Sequence, residues 1–242
     1  SVGKLLQPRA VVNEPFLLMQ SVSELLRLSK RQSVGEVNVW SSKRRRTAKD
    51  HGGLKIFGVE FPHLHGVASL LAGKILDVPD CHLNQYFRNV QGKSDNDANT
   101  VRFTVNRKLY TVSQGLGAFT MDRNGHMWLN ENPQRVRRIR LSFTNGEYVE
   151  LDIEPAFPGH GARSAGEGRL YFYGTDGVQR GVRGIPDDPR RFFARYMIRR
   201  AMEPGTPILP NVGLEEALAR NDALLRLRAD ATEIFGKRIP AL

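Results

Sequence analysis

Three histidines are the residues best suited to chemistry. His63-Leu64-His65 sets two imidazoles on one side of an extended segment, and Cys81-His82 follows a little further along. Imidazole moves protons near neutral pH and ligates metals. A zinc site asks for spacings such as C-x-x-C or H-x-x-x-H. Neither occurs, so the sequence predicts no metal. His63, His65 and, much later, His160 stay as catalytic candidates, the acid and base of a metal-independent ribonuclease. No Ser-His-Asp order, nucleophile elbow or dinucleotide fingerprint accompanies them, and GVASLLAGK fails as a phosphate-binding loop because Ala68 fills the first glycine position and Ile75 follows Lys74. No cofactor is expected.

Phosphate binding is the other chemistry on offer. The chain carries 36 Lys and Arg against 25 Asp and Glu, a net charge of +11, which predicts a polyanionic partner. Three stretches concentrate the positive side chains. SSKRRRTAKDHGG supplies Lys43, Arg44, Arg45, Arg46 and Lys49. PRRFFARYMIRRAM supplies Arg190, Arg191, Arg195, Arg199 and Arg200, with Arg191, Arg195 and Arg199 stacked at i, i+4 and i+8 on one helix face. PGHGARSAGEGRLYFYG sets Gly159, Gly161, Gly166 and Gly168 around His160, Arg163 and Arg169, so that backbone amides can approach a phosphate. This last loop resembles the glycine-rich loops of CRISPR RNA-binding proteins with RRM-like domains, although the βαββαβ order of those folds is missing.

These features lead to a non-catalytic nucleic-acid-binding component of a larger nucleoprotein assembly, with RNA ahead of DNA and other protein subunits as partners. The alternative is a structural subunit of a virion or multiprotein particle whose positive face meets an acidic neighbour, and the third reading is the ribonuclease. No run approaches the 18 or more apolar residues of a membrane helix, so no membrane partner is expected. A lone cysteine, Cys81, forms no internal disulfide and fits the cytoplasm or a particle assembled in a reducing compartment; a removed targeting segment is compatible with this.

The elements that must position these groups follow from alternation and turn chemistry. Ile139, Leu141 and Phe143 alternate with Arg138, Arg140 and Ser142; beyond Thr144-Asn145-Gly146, Val149, Leu151 and Ile153 alternate with Tyr148, Glu150 and Asp152. A three-residue loop with Gly146 left-handed pairs Leu141 with Val149 and Ile139 with Leu151. It also sets Arg140 against Glu150 and Arg138 against Asp152, on what should be a self-neutralised solvent face. Two more hairpins are predicted: 101–112 about Asn106-Arg107, and 118–129 with Phe119 against Leu129 and Met121 against Met127. Strands are predicted over 36–40, 55–61 and 170–173, and helices over 16–31, 66–76, 189–202 behind an acidic cap, and 214–235 closed by Gly236. The fold class is α+β, a central antiparallel meander forming a barrel, a sandwich or a helix-covered sheet, with an N-terminal arm and helix and two C-terminal helices. It divides into a basic N-terminal arm, helix and loop (1–50), a β-rich core (51–188) and a C-terminal helical segment (189–242).

Overall fold

The computed structural model describes residues 15–43, 61–77, 81–90, 93–116, 119–121, 127–129, 136–156, 166–203, 205 and 214–236. Its strands are β1 (Val34–Lys43), β2 (Cys81–Val90), β3 (Lys93–Val105), β4 (Lys108–Leu116), β5 (Phe119–Met121), β6 (Met127–Leu129), β7 (Val136–Phe143), β8 (Tyr148–Asp152), β9 (Glu167–Tyr173), β10 (Gln179–Pro186) and β11 (Thr232–Gly236). The helices are α1 (Gln20–Arg31), α2 (Phe61–Ala72), α3 (Pro189–Met202) and α4 (Leu214–Ala229), with 3₁₀ turns at Pro15–Leu18 and Glu154–Ala156.

Local pairing follows the sequence closely. β7 and β8 pair Leu141 with Val149, Ile139 with Leu151, Arg140 with Glu150 and Arg138 with Asp152. Gly146 takes φ 88°, the left-handed geometry that the bulged loop requires. Phe103 faces Tyr110 and Val101 faces Val112 across a turn in which Asn106 and Arg107 are both left-handed, as a two-residue type I′ connection demands. β5 and β6 pair Phe119 with Leu129 and Met121 with Met127.

The wider sheet is not an antiparallel meander. Nine strands run in the order β10-β9-β8-β7-β1-β4-β3-β2-β11, with β1 parallel to β4 and β11 parallel to β2. The α+β class holds, but the sheet is mixed and has two ends, so it is no closed barrel. β1 enters its middle because Val37 and Val39 complete a buried row with Val112 on one side and Ile139 and Leu141 on the other. Helix α2 packs on β1 and β4, α1 on β8, β9 and β10, and α4 on β2. Their apolar residues, Val22 and Leu25, Leu64 and Val67, and Leu224 and Leu227, join the strand residues in one core.

Three other expectations change. Residues 55–60 lie outside the described set, and Phe61 opens α2 instead of ending a strand. The helix expected to run to residue 235 stops at Ala229, and residues 232–236 form β11 beside β2, consistent with the strand preference of Thr232, Ile234 and Phe235. The Arg-Glu face of β7 and β8 is largely buried instead of solvent-facing: Arg140, Glu150 and Asp152 are nearly inaccessible, while the Arg138 side chain keeps 37% exposure. Tyr148, stacked on Tyr173 at 4.4 Å, covers Arg140, whose guanidinium lies 4.1 Å from the Tyr148 ring.

Two adjacent aspartates start two helices. Asp188 Oδ1 accepts from Arg191 N at 3.0 Å and caps α3, whose Pro189 fills the first position. Asp187 serves α1 instead: its Oδ1 accepts from Gln20 N at 2.7 Å and its Oδ2 from Ser21 N at 2.8 Å. Met19, the residue at that N-cap, offers no side-chain acceptor of its own. Asp187→Ala should therefore cost about 0.5–2 kcal/mol, read from urea denaturation. Burial pushes the Asp187 carboxyl above its ordinary 3.8 against the pull of these amides. The folded state then holds a proton that the unfolded chain has released, so this group's contribution is complete below that value and fades as pH rises through the folded pKa. Asp187→Asn should remove that pH-dependent part.

Candidate functional site

One end of the sheet gathers charged and aromatic side chains from distant parts of the chain. β1, β8 and β10 end there while β7 and β9 begin there: Ser42 lies beside Val136, Asp152 beside Arg138 and Arg169, and Gly168 beside Ile185. The first turn of α2 brings His63 to the same end. Phe16, from the 3₁₀ turn at Pro15–Leu18, sits between His63 and Arg137, its ring centroid 5.3 Å from the imidazole and 5.3 Å from the guanidinium carbon.

The supports are held firmly. Arg137 donates from Nη1 to Glu154 Oε2 at 3.0 Å, with both side chains buried. Glu154 N donates to Asp152 Oδ1 at 3.1 Å, which fixes the turn carrying the carboxylate. On the opposite face of the sheet, Arg138 reaches Asp152 Oδ2 at 3.5 Å, and Arg140 pairs with Glu150 through both Nε and Nη2. Phe16 is buried and His63 half-buried. Along β7, Arg137 shares the helix-covered face with Ile139 and Leu141, while Arg138 and Arg140, with Asp152 and Glu150, lie on the other face; the His63 imidazole therefore has the Phe16 ring beside it and, beyond that ring, the Arg137–Glu154 pair.

The two histidines of the His63-Leu64-His65 stretch do not share a side. The segment is helical, and residues two apart stand about 200° apart around an α-helix. His65 is fully buried, 6.0 Å from the Phe103 ring, and its Nε2 lies 2.7 Å from the Leu76 carbonyl oxygen, where it donates. It joins α2 to the segment beyond it.

The remaining candidates scatter. Arg44, Arg45, Arg46, Lys49, His160 and Arg163 lie outside the described residues, as do the side chains of Lys43, Cys81, His82 and Arg190. Arg169 donates to Glu167 Oε1 at 2.7 Å, and Arg199 donates to Glu203 Oε2 at 2.9 Å. Arg191 and Arg195 are exposed on α3, and Arg200 is half-buried. Among the described residues no group of three or more His, Cys, Asp or Glu side chains can hold a metal ion. Phe16, Arg137, Glu154 and Asp187 were not singled out as site residues in the sequence. Their one local signal is the Asp187-Asp188 pair, which supplies one acidic acceptor more than the helix it precedes requires.

No protein-family model matches the chain, and no curated protein sequence matches it. Solved structures do. A 3-ketoreductase from Actinomadura kijaniata, in complex with TDP-benzene and NADP, is 11% identical with a TM-score of 0.62 over 97% of this chain and 65% of its own. A UDP-N-acetylglucosamine 3-dehydrogenase from Acidithiobacillus ferrooxidans gives 10% identity and 0.58 over 90% and 60%. A biliverdin reductase from Synechocystis, in complex with biliverdin and NADP+, gives 15% and 0.59 over 90% and 61%. The chain thus spans less than two thirds of the length of each.

This likeness overturns the nucleic-acid reading. The structures it matches are oxidoreductases, two of them solved with NADP or NADP+. The electrostatic argument fails with it, because Arg137, Arg138, Arg140, Arg169 and Arg199 all face carboxylates of the same chain. These pairs leave the net charge of +11 unchanged, but they show that these arginines already have carboxylate partners within the chain. The helix-covered mixed sheet is a fold shared with these oxidoreductases.

Proposed function

We propose that this chain is the substrate-side body of an oxidoreductase acting at a hydroxyl or carbonyl carbon of an organic molecule, with His63 exchanging a proton with the reacting oxygen. The observation that carries the proposal is the fold shared with a ketoreductase, a sugar-nucleotide dehydrogenase and biliverdin reductase over 90 to 97% of this chain. Its second support is the position of His63 beside the buried Phe16, Arg137 and Glu154. Reducing a carbonyl requires a proton for the oxygen, and oxidising an alcohol requires one to be removed; an accessible imidazole performs either step.

The NADP of two of these structures does not fit the described residues. Such a site needs a strand leading through a glycine-rich turn into a helix, with a parallel strand following. The sequence has no G-x-G-x-x-G, and the parallel pairs β1–β4 and β2–β11 are not joined by single crossover helices. The chain is therefore assigned substrate holding and proton movement.

Titration of histidine-labelled protein, followed by NMR, tests this reading. Saturating shifts of the His63 resonances with UDP-N-acetylglucosamine or biliverdin, and none with NADPH, are the expected result. Saturable NADPH binding would overturn the division of labour. Silence of His63 toward both organic ligands would overturn the site.

A further inference from the structure

Six of the nine large apolar side chains left exposed among the described residues stand on two helices, α3 and α4. Tyr196 and Phe193 anchor α3 on Leu18. Another side of α3 presents a ridge of Arg191, Arg195, Ile198 and Met202, each four, three and four residues beyond the last. α4 turns Ala223, Leu224 and Leu227 into the fold. Its outer ridge, Leu218, Asp222, Leu225 and Ala229, has the same spacing. Every one of these ridge residues faces solvent: Ile198 is 59% exposed, Met202 77%, Leu218 54% and Leu225 52%.

Steps of four, three and four mark successive seam positions of a coiled coil. Laid side by side in parallel, the two ridges match layer by layer. The Arg191 stem lies on Leu218, Arg195 meets Asp222, Ile198 meets Leu225, and the long Met202 covers the short Ala229. Reversing one helix would set Arg195 against Leu225 and Ile198 against Asp222, so both charges would face apolar side chains. The signs also agree: α3 carries five arginines and no acid, whereas the ridge of α4 carries an acid and no base. Arg191 and Arg195 repel one another at i, i+4, and a carboxylate facing Arg195 relieves that. A single charged layer in an apolar seam also fixes its register. Each ridge thus has its complement on the same chain, while both face solvent in one molecule. We propose that α3 of one copy docks in parallel on α4 of a second copy, with Arg195–Asp222 as the charged layer and Ile198–Leu225 as the apolar one. The contact joins unlike surfaces, so every copy offers both halves of it. It is independent of the reaction proposed for His63.

Sedimentation equilibrium of the full chain, from micromolar to millimolar concentration, tests it. The mean mass should rise with concentration above that of one chain. Arg195→Glu and Asp222→Arg each place like charges in the same layer, and each should weaken association by about ten-fold. Both side chains are exposed, so the variants should keep the far-UV circular dichroism of the parent. An equimolar mixture of the two variants should recover association, because the altered α3 of one then meets the altered α4 of the other while the second pair is unchanged. A single-chain mass at every concentration overturns the proposal and leaves the two ridges to a different partner. Association that neither substitution weakens, or a mixture that fails to recover it, also overturns the proposal by placing the contact elsewhere.

Discussion

Arg137→Met should destabilise the protein by about 3–5 kcal/mol, and Glu154→Met by a similar amount, because each breaks a buried ion pair from one side. The side chains are only 7% and 4% exposed, so water has little access to the charge left behind. Replacing both together should recover most of that loss, since apolar residues of similar volume carry no desolvation penalty. Recovery should fall short by about 0.5–2 kcal/mol, because Arg137 also lies against the Phe16 ring and a methionine cannot reproduce that cation–π contact. Urea denaturation of the two single variants and the double variant gives the coupling directly. Strictly additive losses would mean that the pair does not hold this end of the sheet together.

That experiment concerns features the sequence shows only in part. The pairing of β7 with β8 is legible because strand alternation and the Gly146 bulge are encoded within seventeen consecutive residues, 136–152. The β3–β4 turn is legible for the same reason: two left-handed positions follow from the need to match Phe103 with Tyr110. β1 is legible as a strand but not as the neighbour of β7 and β4, since Val37 and Val39 would fill any apolar row equally well. α2 is obscured by the strand-like residues before it, and α4 is over-extended because Ile234 and Phe235 continue its apolar spacing while forming a parallel edge strand.

The site divides in the same way. His63 can be picked out by residue type, but Phe16, Arg137 and Glu154 come to its neighbourhood only in the assembled fold, from positions 47, 74 and 91 residues away in the chain. The arginines mislead for a related reason. Their cross-strand acids are visible once a register is chosen, yet the aromatic cover over Arg140, Tyr148 against Tyr173, depends on β9 joining β8. Charge in the sequence therefore points outward to a partner, where the folded chain turns much of it inward.

Gly168→Ala should cost about 1–3 kcal/mol, the usual penalty for forcing an extra group into a filled space. A methyl group at this position of β9 would stand 2.6 Å from Ser21 Cβ, closer still to Ser21 Oγ, and 3.3 Å from Asp187 Oδ2. Rotation about the side-chain bond can move Ser21 Oγ aside. It cannot move Cβ, which is fixed to the backbone of the first turn of α1. The strand and helix must separate, and with them the two amide contacts that Asp187 makes to Gln20 and Ser21. Ser21→Gly removes the obstructing atoms, so Gly168→Ala should cost less in that background than in the parent protein, and the double-mutant cycle should show favourable coupling. If the two changes simply add, the approach of β9 to α1 is not what requires a glycine at 168.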